Sequence, residues 1–243
     1  MKLVFFGASH GSPEPNRRCS STMIEVGGNR YFVDMGTQSI EGLINRGIPV
    51  ESVRAIFVTH MHGDHTNGMI SFLDLCSWRF REANPTVCLP GDMERTKKAL
   101  ADWLLCNGTT LRPFEFRSVQ EGLVFDDGIL RVTAYKTMHT DFSYAYLIEA
   151  EGRRVLFGGD LSHSPAKDFP MAVLQSPLDL AICEGAHFKA TEYIPIFSGN
   201  QKPKKLCFNH YSSRLLASLM EAKEALSQDM DVILATDGLE ISL

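Results

Sequence analysis

An α/β (α+β) chain of two sheets faced by helices is what this sequence predicts, and three observations predict it. Short strand-like runs alternate with helix-like runs in both halves of the 243 residues, with no repeat, low-complexity stretch or Pro/Gly/Ser linker, a pattern that favours layered packing. Asp34, His139, Asp160 and His210 each stand just past an apolar run, where a rigid sheet presents its loops. The stretch His60-Met61-His62-Gly63-Asp64-His65 packs four candidate metal ligands directly after the β-type run Ala55-Ile56-Phe57-Val58.

In chain order, residues 3–6, 22–26 and 31–34 read as strands, and the Gly27-Gly28 pair between the last two marks a hairpin. Residues 38–46 read as a helix stopped by Gly47, 55–58 as a strand and 66 to about 80 as a helix. A strand at 86–89 leads to a helix at 92–105 with Asp92 as its cap. The pattern is ambiguous over 106–129, with the boundary between halves near 108–113. Beyond it, 130–137, 143–149 and 153–157 read as strands, with a turn at Gly152. Residues 178–183 and 205–208 read as buried strands, 213 to about 227 as a helix, and 232–234 and 240–243 as strands that close the sheet edge. One domain spanning 1–243 is expected.

Composition narrows the classes. Hydrophobic residues make up 44% and charged residues 22%, ordinary for a globular protein with a sizeable core. The net charge of −5 argues against a broad nucleic-acid-coating surface, which would be basic. None of the six cysteines forms a C-x-x-C pair, and Cys183 and Cys207 sit inside apolar runs. That pattern predicts a reduced, cytoplasmic protein rather than a disulfide framework. The apolar run at the N-terminus is too short for a signal peptide, and no stretch approaches the length of a membrane span, so no membrane partner is expected.

The histidine cluster carries the chemistry. Residues two apart on a strand point the same way, so His60 and His62 can converge on one ion. Asp64 and His65 follow where the chain turns toward a helix, free to face a second ion. The whole set resembles the metallo-β-lactamase superfamily, whose pattern is an early strand-end Asp, then H-x-H-x-D-H, then a His, an Asp and a His, each after a strand. The resemblance implies the four-layer αββα sandwich, with the site along one sheet edge. It implies that His60, His62 and His139 hold one metal, that Asp64, His65 and His210 hold the other, that Asp160 bridges them and that Asp34 orients the ligands from behind. Imidazole and carboxylate without thiolate suit Zn(II), with Mn(II) and Fe(II) as alternatives. Two such ions could share a hydroxide formed near neutral pH, and Asp64 is counted as catalytic as well as ligating.

Within the superfamily, Asp160 stands where the commonest β-lactamases carry Cys, and His62 where flavin–diiron oxidoreductases usually carry Glu. Both activities are therefore disfavoured. The closer resemblance is to the ribonuclease Z-like phosphodiesterases. It rests on Gly7-Ala8-Ser9-His10-Gly11-Ser12-Pro13 with Arg17 and Ser20-Ser21, on Asp34-Met35-Gly36-Thr37-Gln38, on His139 through Ser143 and Tyr146, and on Asn209-His210-Tyr211-Ser212-Ser213-Arg214. It implies that Ser143 and Arg214 lie near a substrate phosphate, and it suggests a homodimer. The tRNA-binding arm of ribonuclease Z falls between the third-motif His and the bridging Asp; here His139 and Asp160 are only 21 residues apart, room for one hairpin. The segment 179–187 looks like a compressed form of that family's proton-donating element. His187, 23 residues before His210, is expected to protonate the leaving oxygen, oriented by Glu184. Lys202, Lys204 and Lys205, just before the last ligand strand, read as a solvated turn; the alternative is that they flank the site, where a substrate bound to them would be polyanionic. His10 is expected at the pocket mouth, and neither His10 nor His163 in a direct catalytic role. The expected function is a dinuclear metal-dependent hydrolase, a phosphodiesterase acting on nucleotide, cyclic nucleotide or RNA-end phosphodiesters. The alternatives are a thioester, lactone or amide hydrolase on the same metals, or a non-catalytic module that holds an anion.

Overall fold

The structure is a computed structural model that describes residues 1–162, 164–199 and 201–243; His163 lies outside the described residues. Two seven-stranded sheets carry the fold. The first sets β1 (Lys2–Gly7), β2 (Ser21–Val26), β3 (Asn29–Met35), β4 (Val53–Phe57), β5 (Thr86–Leu89) and β6 (Phe116–Ser118) side by side. The second takes β7 (Gly122–Asp126), β8 (Arg131–Lys136), β9 (Tyr144–Ala150), β10 (Arg153–Phe157), β11 (Leu180–Gly185), β12 (Lys205–Tyr211) and β13 (Asp231–Leu234). The last strand, β14 (Glu240–Ser242), returns to the first sheet and pairs antiparallel with β1.

Both sheets follow one plan. Strands β1 to β3 and β7 to β10 are joined antiparallel, whereas β3 to β6 and β10 to β13 are parallel. Alternating side chains build the layers. Leu3 and Phe5 of β1, Tyr31 and Val33 of β3, and Leu180 and Ile182 of β11 point into the core between the sheets. Val4, Phe6 and Phe32 point outward under α1 (Ser39–Asn45), α2 (Gly63–Trp78) and α3 (Met93–Cys106). Ala181 and Cys183 point outward on the other side, toward α4 (Pro165–Asp168), α5 (Ile194–Phe197) and α6 (Leu216–Leu226). The helices seat by ordinary 3.6-residue spacing: Met69, Phe72, Leu73 and Cys76 of α2 are buried, as are Leu219, Ala222 and Leu226 of α6. Asp92 caps α3 as expected, its side chain accepting from the Arg95 N–H at 3.0 Å. The αββα sandwich is thus present.

Three elements differ from the sequence reading. The ambiguous stretch at 106–129 contains β6 and β7, strands of three and five residues with little burial, so neither carries a strong alternating signal. The helix read from residue 66 begins at Gly63. The helix read from 213 opens with a 3₁₀ turn at Ser213–Leu215. Among the described residues no helix is long and apolar enough to cross a membrane.

Candidate metal centre

The C-terminal ends of β3, β4, β10, β11 and β12, together with the loop after β8, meet at one edge of the sandwich. Parallel strands present their ends together, and in α/β sheets that is where ligands bind. Two β-bulges aim side chains into the gathering. Ser21 pairs with Met35 and Thr22 with Val33, leaving Asp34 as the extra residue. Glu184 pairs with Asn209 and Gly185 with Tyr211, leaving His210 as the extra residue. Asp34 has φ 55° and His210 φ 48°. A non-glycine residue in this left-handed region costs about 1–2 kcal/mol, and a bulge is a recognised way to re-aim a side chain. Gly36 then lets the Asp34 loop lie on the first turn of α2, because a Cβ there would stand 1.6 Å from the Asp64 carbonyl oxygen.

His60 and His62 do not converge through strand alternation, as the sequence reading supposed. Strand β4 ends at Phe57, and both histidines lie in the turn before α2. That turn is fixed from below: the Thr59 N–H donates to Asp34 Oδ1 at 2.8 Å, and Thr59 Oγ1 donates to Asp34 Oδ2 at 2.9 Å. Thr59 Oγ1 also lies 3.1 Å from His60 Nδ1, which leaves Nε2 of His60 facing the site. Asp34 takes the Nδ1–H of His65 at 2.7 Å and so turns Nε2 of His65 inward. The Leu161 carbonyl does the same for His139, accepting from its Nδ1 at 3.2 Å. Such partners fix the tautomer that a metal requires.

All seven expected ligands come together. His60, His62 and His139 form one group and Asp64, His65 and His210 another, each with ligand atoms within 4.8 Å of one another. His60 Nε2 and His139 Nε2 lie 2.9 and 3.2 Å from His62 Nδ1. His65 Nε2 and His210 Nε2 lie 3.5 and 3.7 Å from Asp64 Oδ2. Asp160 Oδ2 joins the groups: it is 3.7 Å from both His60 and His139, 3.5 Å from His65 and 3.2 Å from His210. Donors around a tetrahedral Zn(II) with bonds of about 2.0–2.1 Å would stand roughly 3.3 Å apart, in the middle of these spacings.

The electrostatics and the unpartnered atoms fit ions at this place. His65 Nε2, Asp160 Oδ1 and His210 Nδ1 are buried without a hydrogen-bond partner among the described residues, a costly state that coordination of the first two would relieve. Burial, then the neighbouring His65, pushes His60 down to about 2, so its ring is neutral and keeps one lone pair to ligate. Burial works against a charge on His65, but Asp160 and Asp34 together hold its pKa well above the usual value. Burial also opposes ionisation of Asp160, yet His210 and His65 keep it well below the carboxylate range.

Glu184 and His187 sit against this cluster. Glu184 Oε2 accepts the Nδ1–H of His187 at 2.7 Å and the N–H groups of Ala186 and His187 at 3.1 Å. That bond, against the effect of burial, raises the His187 pKa. Glu184 Oε1 accepts from the Leu161 N–H at 2.7 Å, so the same carboxylate also ties down the loop that bears Asp160. The sequence reading missed Asp168 entirely. At the end of α4, its buried carboxylate accepts from the Met138 N–H at 2.7 Å and from the Ser162 N–H at 2.6 Å. It staples the His139 loop to the Asp160 loop. Only a short, irregular α4 brings it there, and nothing in its sequence surroundings signals that position.

Four other expectations concern residues around the centre. Ser143 is buried and does not open toward a ligand. Its Oγ accepts from the Thr140 N–H at 3.0 Å and from Thr137 Oγ1 at 2.9 Å, and lies 3.1–3.2 Å from the carbonyls of both residues. It fastens the loop that carries His139. Arg214 is exposed, and only its backbone N–H makes a hydrogen bond among the described residues, to Ser212 Oγ. Lys202, Lys204 and Lys205 follow the solvated-turn reading and not its alternative: they lie at the opposite end of β12 from His210 and pair with Asp229, Asp179 and Asp231. His10 is partly buried and lies 3.2 Å from Glu14. Glu14 is the hub of the opening loop, accepting from Arg17 at 2.5 Å and from the N–H and Oγ of Ser213 at 2.8 Å. Burial opposes its charge, but the Ser213 backbone and its other donors pull its pKa from 4.5 to about 2.

Comparison with known proteins fits this geometry. The chain is 34% identical over 146 residues to a ribonuclease Z from Pseudomonas putida, which covers 57% of this chain and 44% of that protein. It is 23% identical to a ribonuclease Z from Bacillus subtilis in an alignment spanning 100% of this chain and 99% of that protein. The chain spans about half the length of several curated relatives that it matches. Among solved structures it is similar to the metallo-β-lactamase fold protein YhfI from Bacillus subtilis, with TM-score 0.76, 20% identity and 99% of both chains covered. It is also similar to human tRNase Z, short form, with TM-score 0.71, 19% identity and 100% and 99% coverage. A third neighbour, a diphosphatase from the PhnP family, has TM-score 0.70, 20% identity and 100% and 97% coverage. The fold is therefore that of the metallo-β-lactamases, and the sequence relatives lie in the ribonuclease Z branch. A family model matches residues 1–176, which hold six of the seven ligands, all but His210, and on that match the chain belongs to the family described as anti-Pycsar protein Apyc1.

Proposed function

We propose that the protein is a dinuclear metal-dependent phosphodiesterase acting on nucleotide, cyclic nucleotide or RNA-end phosphodiesters. The observation that carries this reading is the pair of three-ligand groups sharing Asp160 Oδ2, with the Glu184–His187 pair beside them. The names of the relatives and neighbours, ribonuclease Z and a diphosphatase, support phosphate ester chemistry over thioester, lactone or amide hydrolysis. Zn(II) suits the imidazole and carboxylate donors best, with Mn(II) and Fe(II) as further candidates. When bound, two such ions would lower the pKa of a water and offset charge on the phosphoryl oxygens.

The chain's own residues then do the following. Asp34, Thr59 and the Leu161 carbonyl hold the imidazoles in their ligating orientation. His187 gives its Nδ1–H to Glu184, leaving Nε2 to deliver a proton to the leaving oxygen. Arg214, exposed four residues after His210, has a guanidinium fork that is unpaired among the described residues and suits a substrate phosphate. Asp64 and His65, in the first turn of α2, keep the second ligand group rigid.

The test is a substrate panel on metal-loaded protein, with Asp64→Ala as control. Turnover of bis(p-nitrophenyl) phosphate, lost in the control, is the expected result. Turnover of a lactone or thioester with none of the phosphodiester would sink the reading, and full metal content without any turnover would favour an anion-binding module. For His187, His187→Ala should slow a phosphodiester with a poor leaving group by about 10²–10⁴-fold and p-nitrophenyl esters far less. Equal losses on both would remove its role as proton donor.

A further inference from the structure

The segment between β8 and β9 carries His139, and two of its carbonyls converge. Those of Thr137 and Thr140 meet the same pair of donors. Ser143 Oγ lies 3.2 Å from the first and 3.1 Å from the second, and Lys136 Nζ stands 3.0 Å from each. Two partly negative oxygens gathered together need donors between them. The Ser143 hydroxyl has one proton and can serve only one carbonyl at a time. The Lys136 ammonium has three protons and serves both.

The local structure puts Lys136 in place for this. It is the last residue of β8 and pairs with Tyr144, the first residue of β9. Its Nζ lies 5.3 Å from the centroid of the Tyr144 ring, within the range of cation–π attraction. Tyr144 is buried, and its N–H donates to the carbonyl of Thr59 at 3.0 Å, the residue that also sets His60. Among the described residues no carboxylate pairs with Lys136, so its charge is spent on the loop carbonyls. The loop is thus held from within by Ser143, from α4 by Asp168 on the Met138 N–H at 2.7 Å, and from the solvent side by the exposed Lys136.

We propose that Lys136 is a positioning residue for His139. Its ammonium clasps the carbonyls of Thr137 and Thr140, and the loop shape so fixed keeps His139 Nδ1 on the Leu161 carbonyl with Nε2 turned to the centre. Lys136 acts through the loop backbone and not as a ligand. This rests on the two-ion reading of the centre.

The experiment compares Lys136→Met, which keeps an apolar stem and removes the charge, with Lys136→Arg, which restores a cation and its donors. Zinc affinities are measured by chelator competition on the full chain, and the His139 tautomer is followed by imidazole nitrogen NMR on metal-free protein. Lys136→Met should weaken one of the two ions by roughly 10-fold, the low end for loss of a supporting partner because Lys136 is exposed, and weaken the other less. The share of His139 that carries its proton on Nδ1 should fall in parallel, and Lys136→Arg should recover most of both readouts. Wild-type zinc affinities in Lys136→Met, or equal weakening of both ions, would overturn the proposal and leave the centre standing. Fewer than two zinc ions on the wild type would remove the two-ion reading instead. The metal-free NMR then decides Lys136 alone: an unaltered His139 tautomer in Lys136→Met overturns its role, and a shifted one upholds it.

Discussion

The two ligand groups of the centre are built differently. Asp64, His65 and His210 come from the first turn of a helix and from a bulge, and the two histidines are almost wholly buried. His60, His62 and His139 come from loops, and His62 and His139 reach solvent. Behind the buried group stands a carboxylate, Asp34, at 2.7 Å. Behind the open group stand a hydroxyl and a backbone carbonyl, which orient without adding full charge. On the proposed reading the difference amounts to a division of labour: the buried group would hold its ion, and the open group would face what enters.

The largest effect that bears on this comparison should come from the shared ligand. Asp160→Ala should strip both ions from purified protein and lower turnover by more than about 10³-fold, because residues that act as one unit are not additive; elemental analysis and rate measurement would show it. Retention of either ion would show that the bridge is not needed by that group. Next come the braces, where loss of a supporting partner typically costs about 10–100-fold in metal affinity. Asp34→Asn should weaken the buried group by that order, and Asp168→Asn should weaken the open one, both followed by chelator competition. If each variant weakened both ions alike, the two groups would be a single unit and the contrast would be false.

A smaller effect concerns Glu14, which fastens the opening loop to the segment after His210. Its folded pKa, about 2, lies below its ordinary 4.5. Its contribution to stability is therefore complete above about pH 4.5 and disappears as the pH falls toward 2. Glu14→Gln should lower the Tm by roughly 2–4 °C near neutrality, on the order of a 1 kcal/mol change. That gap should close in metal-free protein melted at progressively lower pH. A gap that widened on acidification would contradict the assigned direction.

Much of this was legible in the sequence, for identifiable reasons. His60 to His65 are contiguous, so their chemistry needs no knowledge of the fold. Asp34 and His210 stand at the end of a strand, and His139 and Asp160 just past one, each strand long enough to carry a strong apolar signal. What stayed hidden depends on irregular backbone. Ser143 has the residue type of a phosphate contact, but a tight loop spends its hydroxyl on neighbouring carbonyls and N–H groups. Asp168 reaches two ligand loops only because α4 is short and the chain doubles back there. The bulges at Asp34 and His210 leave no trace in a pattern of alternating side chains.

Those two bulges also set a conflict between local preference and overall design. Each keeps a non-glycine residue in a conformation that the free chain avoids, as Asn16 and Glu151 also do in turns, and here the cost aims a side chain at the centre. At position 210 the prediction is direct: in metal-free protein His210→Gly should melt higher than His210→Ala, by about 1 kcal/mol of relieved strain, although both lack the proposed ligand. At these two positions the aim of a side chain is kept at the expense of thermal margin.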